Sequence, residues 1–379
     1  MNKENLTCNK TSIIHDYFAI RGGGERLVLT LARELENATL VYGYRTDDSF
    51  GDFFSDIEST SLNVPGFLRK PELRIPALAL KFSMQRRYAA SFPVRIYSGV
   101  SAPFAAPRSQ SSGVDIFYCH TPPRFLFDQR ALFTARQGTF RRLVTRPLMH
   151  LFEKGYRNSV VQMDLIVANS ENTRKRIKRY LDRDSVVVYP PVDIDQFKWK
   201  SQDDYYLSTA RLTPLKRVEK IVEAFLAMPN KKLVVASGGD DLERLKQMAG
   251  NAPNIEFRGW VSDQQLKDLV GRAIATIYLP VDEDFGISPV ESMAAGKPVI
   301  GVREGGLLET IENDRTGLLL KPDFSIQDIA DAVGVMTKER AIEMRSDCET
   351  RAQQFSRERF VTQMQGIIRD LCQQDADKS

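Results

Sequence analysis

Ile274-Ala275-Thr276-Ile277-Tyr278, followed by Glu283-Asp284-Phe285-Gly286-Ile287-Ser288-Pro289-Val290-Glu291-Ser292-Met293-Ala294-Ala295-Gly296-Lys297-Pro298-Val299-Ile300, spells a strand, a loop, a helix and a second strand. The two apolar runs are short and rich in β-branched residues, as strands of a buried parallel sheet require. Ser288 reads as a helix N-cap and Pro289 as the first helical residue, where a missing N–H costs nothing. Glu291 stands three residues after Ser288, which makes the pair a capping box. The helix N-terminus, with the amides of Gly286 and Ile287, faces anything bound in front of it and favours an anion there. Glu283 lies in the loop and has no such structural duty.

The same alternation extends in both directions. Before the middle of the chain the apolar runs are Ser12-Ile13-Ile14, Thr39-Leu40-Val41-Tyr42, Val114 to Tyr118, Asp164-Leu165-Ile166-Val167 and Ser185 to Val188. After it they are Tyr205-Tyr206-Leu207, Lys232 to Val235, Ile274 to Tyr278 and Pro298-Val299-Ile300. Helical stripes separate them, such as Leu27, Val28, Leu31 and Leu35, or Val218, Ile221, Val222, Phe225 and Leu226. This order predicts an α/β protein with two doubly wound, Rossmann-like halves. Pro190-Pro191 interrupts regular structure between them. The expected domains are residues 1–196 and 197–355, with a last helix over 356–379 whose N-cap is Ser356 and whose stripe is Phe360, Met364, Ile367, Ile368 and Leu371.

The composition, with 42% hydrophobic and 27% charged residues over 379 positions, is that of a soluble globular chain. No window approaches the ~18 uninterrupted apolar residues of a membrane span. Four widely spaced cysteines without a CxxC pair predict neither a disulfide framework nor a structural zinc site, and hence a reducing compartment. The polar start, Met1 to Lys10, lacks the apolar core of a secretory signal. Lys plus Arg against Asp plus Glu is 30 to 20 over residues 1–200, leaving 23 to 29 of the 53 and 49 totals for the rest. Residues 61–150 hold 14 basic and 3 acidic side chains, with Arg69, Lys70, Arg74, Lys81, Arg86 and Arg87 among Phe67, Leu68, Ile75, Leu78, Leu80, Phe82 and Tyr88. That mixture suits an anionic bilayer or a polyanionic acceptor; a solvated basic face is the plainer account.

Three further segments have chemistry in reach. Gly22-Gly23-Gly24-Glu25 follows a strand and opens a helix, so its amides either cradle an anion or serve a tight turn. It is neither GxGxxG nor a phosphate-binding Gly-Lys-Ser/Thr loop. Arg211-Leu212-Thr213-Pro214-Leu215-Lys216 runs from a strand ending near Ala210 into a helix starting around Pro214, placing two cations where a diphosphate binds unless both are simply solvated. His120, in Tyr118-Cys119-His120-Thr121-Pro122-Pro123-Arg124, ends a strand, as does His15, whereas His150 sits in a basic helical stretch.

Taken together, these segments resemble the retaining glycosyltransferases of family four. Glu283 and Glu291, separated by seven residues with Phe-Gly after the first and Met-Ala-x-Gly-Lys-Pro-Val-Ile after the second, match that family's E-x7-E signature. Gly22-Gly23-Gly24-Glu25 matches its glycine-rich loop, Arg211 and Lys216 its Arg-Leu-x-x-x-Lys pair, and Gly305-Gly306-Leu307-Leu308-Glu309 its Gly-Gly-x-x-Glu segment. The resemblance implies a GT-B fold, two facing Rossmann-like domains with an interdomain cleft, the last helix crossing back to the first domain. It implies that Arg211 and Lys216 hold the donor diphosphate and that Glu283 meets the transferred sugar with the amides of Phe285, Gly286 and Ile287. Glu291 would accept from the ribose, backbone near Val261 would meet the base, Gly23 and Gly24 would line the donor site, and His120 would stand beside the anomeric carbon. Ala210, Pro190-Pro191 and Gly238-Gly239-Asp240 depart from the family pattern.

The resemblance is nearest to bacterial mannosyltransferases of O-antigen and exopolysaccharide assembly. It implies GDP-mannose as donor, a polyprenyl-diphosphate-linked saccharide as acceptor, attack on the face the leaving group departs from, no cofactor and no metal. Asp182-Arg183-Asp184 and Asp193-Ile194-Asp195 spell DxD but read as surface loop and linker. The expected location is cytoplasmic, peripheral to an anionic membrane at the inner face of the plasma membrane, with no nucleic-acid partner. A UDP-sugar donor, a sugar-nucleotide 2-epimerase of the same fold and a non-catalytic membrane-surface protein are the alternatives; the absent GxGxxG argues against a dinucleotide dehydrogenase.

Overall fold

Uninterrupted apolar runs become fully buried parallel strands. In the first unit β1 (Thr11–His15), β2 (Ala38–Tyr42), β4 (Val94–Ser98) and β5 (Val114–Cys119) are buried at every position. β3 (Ser59–Ser61), β6 (Leu165–Ala168) and β7 (Val186–Val187) complete a parallel sheet of order β3-β2-β1-β4-β5-β6-β7. The second sheet has the order β10-β9-β8-β11-β12-β13, from β8 (Tyr206–Ser208), β9 (Leu233–Val235), β10 (Ile255–Phe257), β11 (Thr276–Tyr278), β12 (Val299–Val302) and β13 (Gly317–Leu320). Both sheets are doubly wound, and each reverses its strand order once, between β1 and β4 and between β8 and β11. Crevices at the carboxyl ends of such reversal points are where ligands bind in open α/β sheets.

The computed structural model describes residues 8–19, 22–46, 50–108, 112–135 and 139–377. Two units emerge, Met1–Pro191 with Phe360–Ser379, and Val192–Arg359. In the first, helix Gly23–Glu34 lays Leu27, Val28 and Leu31 on one sheet face beside Phe360 and Met364 of helix Arg357–Ala376. Leu78, Phe82, Tyr156, Val160 and Ile177 cover the other face. In the second, Ile221, Val222 and Phe225 of helix Val218–Leu226 are buried without exposure, as their spacing requires. Ser356 caps the last helix, its hydroxyl accepting from the Arg359 amide at 3.3 Å.

Two expectations need correction. Cys8 and Cys372 are joined by a disulfide, across a sequence separation of 364. Spacing along the chain is blind to this pair, because the last helix brings residue 372 back to the first unit; only Cys119 and Cys348 remain as buried thiols. Four strands also fall outside the apolar runs. β3 and β10 are three-residue edges, and β13 opens on a glycine. β4 is central yet carries Arg95, which is wholly buried. Its guanidinium donates to both Asp115 carboxylate oxygens at 2.7 and 3.0 Å and to the Phe92 and Ser112 carbonyls, so the charge is fully satisfied inside the sheet.

Candidate functional site

In the second unit the loops after β8 and β11 meet at the strand-order reversal. A single 3-10 turn, Pro214–Lys216, precedes Arg217, which adopts a left-handed conformation at φ 51°, and the α-helix starts only at Val218 rather than around Pro214. This delay aims Lys216 at the loop after β11. Its ammonium donates to Glu283 Oε2 at 2.5 Å and to the Tyr278 hydroxyl at 2.9 Å. Burial first, and then the neighbouring Glu283, pushes the Tyr278 phenol well above its ordinary range, so it stays neutral and bonds the carboxylate. Arg211 stands on the same loop, exposed, and among the described residues its guanidinium has no ion pair.

The Glu283 loop is held from below. Arg217 donates to the carbonyls of Leu279 and Pro280 at 2.8 and 2.6 Å and to Glu304 at 3.0 Å, while Glu304 accepts from the Asp282 amide at 3.0 Å. The Gly306 amide bonds the Glu283 carbonyl at 2.8 Å. Gly305 lies at φ 56°, and a Cβ there would come within 2.3 Å of that same carbonyl, so both the angle and the close approach demand glycine. Arg217, Tyr278 and Glu304 were not singled out from sequence. The signal was there in the cation directly after Lys216 and the acid directly before Gly305-Gly306, but neither has a meaning until the loops are seen together.

Helix Ile287–Ala294 begins two residues earlier than the Ser288 cap reading predicts. Its N-cap is Gly286, at φ 93°, with no side-chain cap bond, and the capping box of Ser288 and Glu291 is not formed. A glycine able to take positive φ starts the helix early and leaves Ser288 inside its first turn. Glu291 is 8% exposed and acts electrostatically on Tyr278. Phe285 is buried, its ring 5.4 Å from that of Phe355. Val261 is half-buried beside Trp260, which is 72% exposed and lies over Gly238, where a Cβ would fall 2.4 Å from the indole nitrogen. The Gly238 carbonyl accepts from the Leu212 amide at 3.0 Å, and a Cβ on Gly239 would fall 2.3 Å from the Leu212 carbonyl oxygen, so the chain passes too close there for a side chain.

In the first unit the ends of three adjacent strands carry polar residues: His15 closes β1, Ser98 closes β4 and His120 directly follows β5. The pairing sets His15 beside Ser98 and Ser98 beside Tyr118, so that Ser98 lies between His15 and His120. Ser98 Oγ is 2.8 Å from His120 Nε2 and 3.2 Å from His15 Nδ1. Burial lowers the His120 pKa to about 4; burial, helped by His120, lowers that of His15 to about 3. Both rings are neutral near pH 7. Gly23 and Gly24 are the first residues of helix Gly23–Glu34, and a Cβ on Gly24 would lie 3.3 Å from His120 Cε1. Asp16, just past β1, accepts from the amides of Val100, Ser101 and Ala102, with burial raising its pKa to about 6. Burial likewise raises Glu25 to about 7, against a bond from the Gly22 amide.

His150 is exposed on helix Thr139–Val161, away from this cluster. Asp182 and Asp184 pair with Lys178 at 3.4 and 3.3 Å on the surface, and Asp195 pairs with Lys198. Among the described residues no group of three or more His, Cys, Asp or Glu could hold a metal ion. The second unit therefore offers cations, a carboxylate pair and a helix N-terminus around one loop, a set able to bind a diphosphate and to accept from hydroxyl groups. The first unit offers neutral imidazoles beside a glycine-built helix start.

The description Glycosyltransferase Family 4 matches residues 21–196, and Glycosyl transferases group 1 matches residues 191–355. Alpha-1,3/1,6-mannosyltransferase ALG2 of Saccharomyces cerevisiae is 27% identical, over 83% of this chain and 75% of that one. The ALG2 of Dictyostelium discoideum is 26% identical, over 85% and 88%. Among solved structures, HepE of Anabaena in complex with UDP and glucose superposes with a TM-score of 0.73 at 16% identity, covering 94% of this chain and 98% of that one. Sucrose-phosphate synthase of Thermosynechococcus elongatus superposes with a TM-score of 0.76 at 18% identity, covering 96% and 99%. These two likenesses are of fold.

Proposed function

The chain belongs to the family-four glycosyltransferases, with GT-B architecture and the character of a mannosyltransferase, and from that premise we propose that it moves mannose from GDP-mannose to a saccharide carried on a polyprenyl diphosphate. The setting we propose is bacterial surface-polysaccharide assembly, at the anionic inner face of the plasma membrane. No helix among the described residues is long and apolar enough to cross a membrane, which leaves contact to the basic, apolar-studded surface of the first unit. The observation that carries the reading is the ion pair of Lys216 and Glu283 at the reversal point of the second sheet.

In the proposed reaction Arg211 and Lys216 bind the diphosphate and stabilise the charge that grows on it as the glycosidic C–O bond breaks. Glu283 and the amides of Phe285, Gly286 and Ile287 orient the hexose through its hydroxyls. Glu291 accepts from the ribose, and backbone near Val261 meets the base. The acceptor hydroxyl attacks from the side the diphosphate leaves, and its proton passes to the departing phosphate oxygen, so configuration is retained without a paired acid and nucleophile. His120 is a positioning residue, set by Ser98 and the Gly23-Gly24 helix start.

Thermal unfolding with GDP, UDP and ADP tests the donor assignment. GDP at one hundred times its Kd stabilises the native state by about 2.7 kcal/mol, which shifts the transition of a unit this size by roughly 5–10 °C. A larger shift with UDP or ADP at equal concentration overturns GDP. Transfer of label from GDP-mannose to a polyprenyl-diphosphate saccharide, with none going to water, separates a transferase from an epimerase.

A further inference from the structure

The first unit holds a cavity of about 510 Å³ that the transfer chemistry does not use. It lies between the short helix Arg86–Ala89, the segment Phe104–Arg108 and the end of helix Thr139–Val161. Its polar lining is Arg86, Arg108, Asn158, Ser159 and Gln162, and no carboxylate is among the lining residues. Phe104 closes one wall, in contact with Gly155, where a Cβ would fall 2.8 Å from the ring. Two guanidiniums thus share one cavity with only neutral donors and acceptors for company.

Arg86 Nε is buried and has no hydrogen-bond partner. Among the described residues neither Arg86 nor Arg108 forms an ion pair, although most arginines of the second unit do. Burial first, and then Arg108, lowers the Arg86 pKa, a sign that the two cations face one another unrelieved. An unsatisfied buried donor costs about 1–3 kcal/mol, and a ligand with several acceptor oxygens removes that cost. Phosphate fits, because it accepts forked bonds from two arginines at once.

The surface beside the cavity says what carries the phosphate. Leu148, Leu151, Gly155 and Asn158 follow the i, i+3, i+4 spacing of one helical stripe, so the stripe runs from cavity wall to exposed leucine. Leu148 is 56% exposed and Leu151 68%, while Leu80 and Met84, just before Arg86, are 66% and 69% exposed. Exposed leucines next to a cationic pocket are a poor surface for a free, fully hydrated anion and a good one for an anion set at the edge of hydrocarbon. We propose that this cavity is a headgroup site, in which Arg86 and Arg108 clasp the phosphate of an anionic membrane lipid while Leu148, Leu151, Leu80 and Met84 enter the acyl boundary. The inference deepens the membrane-surface part of the proposed function and is independent of the sugar donor.

The test is sedimentation of the full chain with vesicles of phosphatidylcholine, with or without phosphatidylglycerol, in the absence of sugar nucleotide. The chain should bind the phosphatidylglycerol vesicles alone. Removing any two surface cations weakens such binding, by about fivefold each. The charge-matched pair Lys81→Gln/Arg87→Gln supplies that baseline, and Arg86→Gln/Arg108→Gln should lose at least about tenfold more. Equal losses in the two pairs overturn the headgroup site. In a second arm, soluble glycerol 1-phosphate is titrated into the wild type and Leu148→Ser/Leu151→Ser. The leucine variant should keep glycerol phosphate binding and lose vesicle binding. Unchanged vesicle binding in that variant, or glycerol phosphate bound as tightly as the vesicles, overturns the lipid-borne assignment and leaves a free-phosphate site. A GDP-induced thermal shift measured on each variant reports the donor site separately, so that failure of the transferase reading is not confused with failure of this one.

Discussion

Lys216 is shared. Its ammonium donates to Glu283 and Tyr278, and in the proposed reaction a diphosphate draws on the same three N–H bonds. Replacing Glu283 with Gln removes the competing charge but leaves shape and hydrogen bonding nearly intact. The two side chains are 23% and 22% exposed, so the pair behaves as a partly solvated ion pair, whose loss releases about 0.5–1 kcal/mol of hold on the lysine. GDP, which carries no sugar to contact Glu283, should then bind Glu283→Gln as well as the wild type or up to about fivefold more tightly. Lys216→Ala deletes a charge-assisted bond to phosphate, so GDP binding should weaken by about 1.5–3 kcal/mol, roughly ten- to a hundredfold. Transfer should separate the variants in the other sense. Glu283→Gln loses sugar orientation and falls in kcat by about 10²-fold with little change in donor KM. Calorimetric titration of GDP together with initial rates of hexose transfer measures both. If Glu283→Gln weakens GDP as much as Lys216→Ala does, Glu283 serves the diphosphate and not the sugar, and the division of labour is wrong.

The remaining predictions use other parts of the molecule. Glu291→Gln should raise the KM for the nucleotide sugar and leave kcat nearly unchanged; steady-state kinetics over donor concentration decides it. Asp115→Asn strands the buried Arg95 guanidinium and should destabilise the first unit by about 3–5 kcal/mol, read as a lower urea midpoint. Cys372→Ser, or reduction of the wild type, should lower the first unit's melting temperature by an amount equivalent to about 2–4 kcal/mol; an unchanged melting curve would rule out the link to Cys8. Histidine titration gives a pH signature. With folded pKa values of about 3 and 4, His15 and His120 leave the unfolded state binding more protons below pH 6.5, so their contribution is complete above that pH and is lost as pH falls. Asp16 and Glu25, raised to about 6 and 7, act oppositely, and their contribution is lost as pH rises through those values. His15→Gln/His120→Gln should therefore be relatively less stable near pH 7 than near pH 5, compared with the wild type, in paired urea titrations.

Fold class was legible because β-branched runs and helical stripes report burial on two faces of a sheet directly. β4 was not, since periodicity assigns Arg95 to the surface and only the Asp115 contact, twenty residues on, makes it a core residue. The Cys8 to Cys372 link was illegible for the same reason on a larger scale. At the site, Lys216 and Glu283 were legible as types in a pattern, and the structure adds that they touch. The Ser288 cap was misread because local propensity favours a serine before a proline, and nothing in that preference reveals that Gly286 turns the chain at positive φ first. Arg217 and Glu304 act on backbone carbonyls and amides, groups that every residue has, so the sequence has no way to mark which ones they hold.

Phe360 and Met364 fill the first unit's core, yet the whole contiguous second unit is translated between that core and them. On the ribosome, residues 192–359 can complete their own sheet while the earlier-made unit still lacks the helix that supplies Phe360 and Met364 to its core. The first half to emerge is thus the last to finish. Its early sheet stays incomplete for as long as the rest takes to be synthesised, and a truncation just before Phe360 leaves the second unit's chain whole while depriving the first of its closing helix.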